Sequence, residues 1–127
     1  MTEAECVNSL AGITHAPLGR GPDAFDCWGL VCEVCKRMDW PVPFDPVEAS
    51  ECPQGVSDIF ATHYKAGQWV DEGPVSGAVV FFGSPDSAYH AGIIIAGAML
   101  EISSNRGLRH LPVSRIHSKV EFRTWLG

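Results

Sequence analysis

Apolar residues recur at every third or fourth position after Asp26. Cys27, Val31, Val34 and Met38 fall along one line, with Leu30 and Cys35 beside it, which is the spacing of a packed helix. Asp26 is a strong N-cap residue, Lys36 and Arg37 stand near the far end where the helix dipole favours cations, and Pro41 stops continuation. Thr2-Glu3-Ala4-Glu5 reads as a capping box, so a short helix carrying Cys6, Val7 and Leu10 is expected after it. A third helix is expected over residues 57–65, with Ile59, Phe60, His63 and Tyr64 on its apolar face and Gly67 ending it. Between these helices, residues 12–24 read as a loop. Residues 40–53 carry Pro41, Pro43, Pro46 and Pro53, which predicts an extended crossing.

From Gly73 the period changes from helical to extended. Residues 77–82 form an unbroken apolar run after Gly77 and predict a strand buried on both faces. Residues 83–87 read as a turn, residues 89–96 as a second strand, Gly97-Ala98 as a tight turn and residues 99–103 as a third strand. Residues 107–113 predict a fourth, short strand. In residues 119–125, Val120, Phe122 and Thr124 alternate with Glu121, Arg123 and Trp125, which suits a last strand with one wetter face. Helices first and a meander of strands after them predict one α+β domain over residues 1–127.

Composition narrows the class. The chain is 46% hydrophobic and 19% charged, which excludes disorder, and 127 residues suffice for a real core. A net charge of −6 without a basic stripe argues against a nucleic-acid partner. No apolar run is long enough to span a bilayer, and no secretory signal is expected at the start. The five cysteines are an odd number, which fits synthesis in a reducing cytoplasm.

Candidate chemistry begins with Cys27, at the first position of the main helix, where the dipole favours thiolate. The competing reading is a small apolar core residue. A thiolate nucleophile needs a base, and His90 stands at the entrance of the β-branched run Tyr89-His90-Ala91-Gly92-Ile93-Ile94-Ile95. Together with Phe25-Asp26-Cys27-Trp28-Gly29-Leu30-Val31 and the preceding Gly19-Arg20-Gly21-Pro22-Asp23-Ala24, this resembles the NlpC-type cysteine peptidases that cut bacterial cell-wall peptides. The resemblance covers roughly residues 12–104. Trp28 after the cysteine and the short chain look most like members carried by tailed phages.

The resemblance implies a papain-like fold, with the nucleophile at a helix start packed on an antiparallel sheet. It implies Cys27 as nucleophile, His90 as base and no cofactor. The family's third polar residue, commonly His, Asn or Gln, falls here on Glu101, a departure from the pattern. The tyrosine that usually lies near the nucleophile is missing, and His15 stands at about that distance. Asp26, Trp28 and His15 border the nucleophile and are expected to meet substrate. The implied substrate is a peptidoglycan stem peptide, cut at a bond involving D-glutamate and diaminopimelate. The implied setting is a phage tail, with the protein made in the host cytoplasm, assembled with other tail-tip proteins and acting in the cell wall. An inactive tail-tip protein and an acyl transferase on the same fold are the alternatives.

Three residues compete to orient His90. With Gly97-Ala98 as a strict two-residue turn, Ile94 faces Glu101 and Asn105 falls opposite His90; the family pattern instead needs Glu101 opposite His90, through a wider turn or a bulge. Both registers keep Glu101 on the face of His90, and a hydrogen bond within about 3.2 Å is expected. Glu101 could instead be a solvated charge on an edge strand, and His110 is a more distant substitute. Cys32 and Cys35 form a Cys-x-x-Cys, but no second paired-ligand motif follows; Cys6 or Cys52 would have to complete a metal site, so core packing is the better reading.

Overall fold

The computed structural model describes residues 1–43, 69–84 and 88–127. The helix expected over 57–65, with its His63, and the proline-rich crossing from residue 44 onward, with Cys52, lie outside the described residues, as does the turn at 85–87. Helix α1 (Glu3–Ser9) carries the expected capping box, with Thr2 Oγ1 accepting from the Glu5 N–H and the Glu5 carboxylate accepting from the Thr2 N–H. Helix α2 (Cys27–Met38) starts at Asp26 and ends at Asp39, which takes a left-handed conformation at φ 58°. Trp28, Leu30, Val31, Cys32, Val34 and Cys35 are all buried, so α2 is a central helix covered on most sides.

The strands are β1 (Thr14–His15), β2 (Ala24–Phe25), β3 (Trp69–Val70), β4 (Val79–Phe82), β5 (His90–Ile95), β6 (Ala98–Ser103), β7 (Gly107–Leu111) and β8 (Val120–Trp125). β1 and β2 form a small parallel pair, and the other six make one sheet in the order β3-β8-β4-β5-β6-β7. The two helices packed on this antiparallel sheet make the α+β architecture expected. The unbroken apolar run of β4 is buried throughout, because α2 covers one side and a second apolar cluster the other. Val79 and Phe81 join the cluster beneath α2, while Val80 and Phe82 join Ile94 and Met99 on the opposite side.

Two expectations need correction. The last strand has no wetter face: β8 is inserted between β3 and β4, and all six of its residues are half-buried. The turn between β5 and β6 is Ala96-Gly97, not Gly97-Ala98. Both residues have positive φ, 51° and 78°, as a type I′ turn requires, and Ile95 pairs with Ala98. Moving a hairpin turn by one residue moves every cross-strand pairing by two.

Gly29 explains the tightness of the segment before α2. A Cβ there would collide with the backbone carbonyl of Gly19 and lie 3.1 Å from the Asp26 carboxylate. The Gly19 carbonyl also accepts from the Asp26 N–H at 3.2 Å and from Arg20 at 2.8 Å, so it has little freedom to retreat. Gly29→Ala is therefore expected to lower stability by about 1–3 kcal/mol, read as a lower urea midpoint at unchanged slope.

Candidate active site

The site is assembled where α2 and β5 begin. Asp26 Oδ1 accepts from the Gly29 N–H at 2.7 Å, closing the first turn of α2, and pairs with Arg20 at 2.7 Å. Arg20 ties this cap to the Gly19 carbonyl, so the loop, the cap and the helix start form one unit. That unit fixes where the Cys27 side chain emerges. Among the described cysteines, Cys6, Cys32 and Cys35 are buried and Cys27 alone is half-exposed.

His90, the first residue of β5, lies near enough to the Cys27 side chain for that group to favour its protonated ring. Its Nε2 lies 2.7 Å from Glu101 Oε1, and its ring centroid sits 5.0 Å from that of Phe82. With Nε2 engaged by Glu101, Nδ1 is the nitrogen left for sulfur. The thiol comes from the α2 side of the sheet and the imidazole from the other, and they meet at the first residue of each element. Continuing the pairs Ile95↔Ala98, Ile94↔Met99 and Ile93↔Leu100 by one sets Glu101 beside Gly92, diagonal to His90. That lies between the two registers considered from sequence; the direct pairing of β5 with β6 ends at Ile93↔Leu100. A diagonal neighbour is within reach of a long side chain.

Glu101 is only 5% exposed and sits on an interior strand, so the solvated-edge reading does not hold. Its second oxygen accepts from Arg109 at 2.6 Å. Arg109 lies directly opposite Glu101 in the β6–β7 register. Burial works to raise the Glu101 carboxyl, but the hydrogen bonds and charges of His90 and Arg109 outweigh it and hold it below the usual carboxylate value. For His90, burial is the largest influence and favours the neutral ring. The hydrogen bonds and charges of Cys27 and Glu101 together overcome it and push the imidazole up to about 9. The ring thus stands between the Cys27 side chain and the Glu101 carboxylate, both of which favour its protonated form.

Two of the expected substrate contacts are overturned. Trp28 is fully buried, its ring 5.9 Å from Phe81, because the second position of α2 points into the core. Asp26 is 7% exposed and its Oδ1 is used by the helix cap and Arg20, so it acts on the framework. His15 is half-buried on β1, paired in register with Phe25 just before the nucleophile, so it stays beside the site. Neither competing orienter replaces Glu101: Asn105 is exposed and engages Ser104 at 3.2 Å, and His110 Nε2 lies 2.8 Å from the Ile95 carbonyl. Cys32 is buried with its thiol 3.8 Å from the Pro43 carbonyl, and Cys35 is pushed up to about 12 by burial.

Sequence reasoning missed Arg109 and Arg20. Arg109 had a usable signal: a short turn after Ser103 folds residue 109 back onto residue 101, which makes an opposite-charge cross-strand pair. Arg20 had no such signal, because its partner is set by the path of an irregular loop.

The accessibility contrast among the thiols is directly measurable. With limiting iodoacetamide at pH 7, Cys27 is expected to alkylate at least about 10-fold faster than Cys6, Cys32 or Cys35, since buried thiols are inert. Peptide mapping by mass spectrometry reads the order; equal rates would contradict this geometry.

Comparison with known proteins points to one group. A model of the NlpC/P60 family matches residues 15–125. No protein of curated function matches the sequence. Among solved structures, the NlpC/p60 domain of peptidoglycan hydrolase SagA aligns with a TM-score of 0.63 and 16% identity, covering 95% of each chain. NlpC1 from Trichomonas vaginalis aligns with a TM-score of 0.67 and 20% identity, over 98% of this chain and 42% of its own. NlpC2 from Trichomonas vaginalis aligns at 0.66 and 21% identity, over 98% of this chain and 44% of its own. At these identities the structural likeness concerns the fold.

Proposed function

Since the chain belongs to the NlpC/P60 family, we propose that it hydrolyses a peptide bond in bacterial peptidoglycan, with Cys27 as nucleophile, His90 as acid and base, and Glu101 as the residue that orients His90. The observation that carries this reading is the imidazole held between the Cys27 side chain and the Glu101 carboxylate. In the first step the Cys27 thiolate attacks the peptide carbonyl carbon and the carbonyl π electrons move to oxygen. The backbone N–H of Cys27, in the first helical turn where N–H groups lack intrahelical acceptors, is placed to donate to that oxyanion. His90 gives its proton to the departing amine as the C–N bond breaks and a thioester forms. A water then loses a proton to His90, attacks the thioester and releases the acid with the thiolate restored. His15 stands beside the lead-in to Cys27 and is proposed to contact the substrate backbone.

Within this proposal the substrate is a stem peptide, cut next to D-glutamate and diaminopimelate, and the setting is the tail of a phage. The setting rests on the likeness of the Asp-Cys-Trp-Gly-Leu segment to tail-borne members. Incubating the reduced protein with purified peptidoglycan and reading new amino and carboxyl ends by mass spectrometry tests the activity. Absence of new ends, with intact fold, would leave a structural tail-tip role on the same fold. Release of product only when an amine or thiol acceptor is added would mark an acyl transferase.

A further inference from the structure

Glu101 has a second environment besides His90. It lines a pocket of about 240 Å³ that neither Cys27 nor His90 lines. The other polar side chains on its walls are Arg106, Arg109, Arg115, His117 and Ser118, so Glu101 is its single acidic group among the described residues. Two stretches supply these donors: β7 with the residue before it, and the link from β7 to β8. Arg109, one-third exposed, donates through Nη2 to Glu101 at 2.6 Å. Arg106 and Arg115 are exposed and form no ion pair among the described residues.

The chain carries a net charge of −6, so an anion is repelled at long range and settles only where cations are gathered. Three guanidinium groups against one carboxylate make this pocket locally cationic. Shape then selects among anions. A carboxylate is planar, and its two oxygens fill one guanidinium fork. A phosphomonoester carries about −1.5 to −2 charges at pH 7 and three acceptor oxygens, which suits donors arriving from two stretches of chain. Phe82, Leu111 and Ile116 line the rest of the wall, and their apolar surface strengthens charge-assisted bonds by lowering the local dielectric. A water's share of liquid volume is about 30 Å³, so the pocket has room for phosphate and part of a group that it esterifies.

We propose that this pocket binds a phosphoryl group, free or carried as an ester, and that its occupant competes with Glu101 for Arg109. Arg106 and Arg115 hold the phosphoryl oxygens, with His117 and Ser118 as further donors. Competition follows from the shared guanidinium: Glu101 and the occupant are both anions on one pocket wall, and each weakens the hold of the other. Coupling of this kind is reciprocal. A phosphorylated ligand therefore bears on the residue that meets His90 without touching Cys27. The proposal goes beyond the hydrolase reading and does not depend on it, because binding is read without turnover.

Calorimetric titration of the full chain with inorganic phosphate, phenyl phosphate and benzoate, in phosphate-free buffer, provides the test. Phenyl phosphate is expected to bind wild type at least about 10-fold more tightly than benzoate, the range of one charge-assisted hydrogen bond. An Arg106→Gln/Arg115→Gln double variant should bind both phosphates about 10- to 100-fold more weakly. Glu101→Gln removes the competing anion and should tighten phosphate binding by about 3- to 10-fold. If that variant does not fold, Glu101→Asp, whose carboxylate is one methylene further from Arg109, must tighten binding in its place. Phenyl phosphate bound more tightly than inorganic phosphate identifies an ester as the occupant, and equal affinity identifies the free ion. Benzoate bound as tightly as phenyl phosphate overturns the phosphoryl assignment. No phosphate binding, or equal binding by wild type and the double variant, overturns the site. Affinity unchanged or weakened by the Glu101 substitution overturns the competition for Arg109.

Discussion

Cys27→Ala protein is expected to release no new peptide ends from peptidoglycan, with kcat/KM down by on the order of 10⁴-fold or more. The size follows from the chemistry: without sulfur no thioester forms, and His90 has nothing to activate but water. The fold should survive. Cys27 is half-exposed at the first turn of α2, and that turn is closed by the Gly29 N–H bonding Asp26, a bond that does not involve the sulfur. The variant's urea midpoint should therefore stay within about 1 kcal/mol of wild type. The change does remove the group that most favours His90 as a cation, so the imidazole should titrate lower than about 9, which the histidine resonances would report directly. Substantial turnover by a folded Cys27→Ala protein would remove the covalent scheme altogether.

The second large effect belongs to Glu101. Glu101→Leu is expected to lower kcat by about 10²- to 10³-fold, since both the orientation and the charge of His90 depend on that carboxylate. Glu101→Gln keeps an acceptor for the ring N–H and should lose about 10-fold. The pH profile separates positioning from general damage. In wild type the alkaline limb of kcat/KM should fall near pH 9, where the imidazolium loses the proton it must give to the leaving amine. Both Glu101 variants remove an anionic neighbour, so the limb must move to lower pH. An unmoved limb in Glu101→Gln, with unchanged rate, would show that the carboxylate serves the framework alone.

The same shift bears on stability. Folding raises His90 from 6.5 to about 9, so the folded state binds its proton more tightly than the unfolded chain does. The contribution is fully present below about pH 6.5 and is lost as pH rises through 9; its size is on the order of 3 kcal/mol. Glu101 acts with the opposite sign. Its carboxyl is held low, so its contribution is present above the ordinary carboxylate range and is lost as the solution becomes more acid. Stability should thus be greatest between these limits.

Glu101 joins these effects because its two oxygens serve different partners. One meets His90 at 2.7 Å and the other meets Arg109 at 2.6 Å. A glutamate that bonded only the imidazole would leave its second buried oxygen unpaired and its position less fixed. Arg109, locked opposite it in the β6–β7 register, holds the carboxylate in one position and keeps it ionised. Where the family commonly has a neutral or cationic side chain, this chain has a buried anion with a dedicated counter-ion.

What the residue pattern determined by itself is local. The capping box at Thr2, the Asp26 cap, the start of α2 at Cys27 and the apolar run of β4 were all legible, because each depends on residues within a turn or on alternation along one segment. The placing of Cys27 and His90 at the beginnings of their elements followed from the same signals. What only the tertiary structure decided is which side chains face each other across elements. The turn at Ala96-Gly97 requires an alanine at positive φ, a local cost that packing of β5 against β6 overrides, and that choice sets the register ending at Ile93↔Leu100, next to which Glu101 reaches His90. The insertion of β8 beside β4 joins the end of the chain to its middle, and no local rule anticipates it. Trp28 and Asp26 looked like neighbours of a substrate because they flank the nucleophile in sequence. On a helix, adjacent residues point about 100° apart, so one faces the core and the other closes the cap. Whether a polar side chain becomes framework or chemistry depends on what the fold brings against it, and for Glu101 that was a histidine eleven residues before it and an arginine eight residues after it.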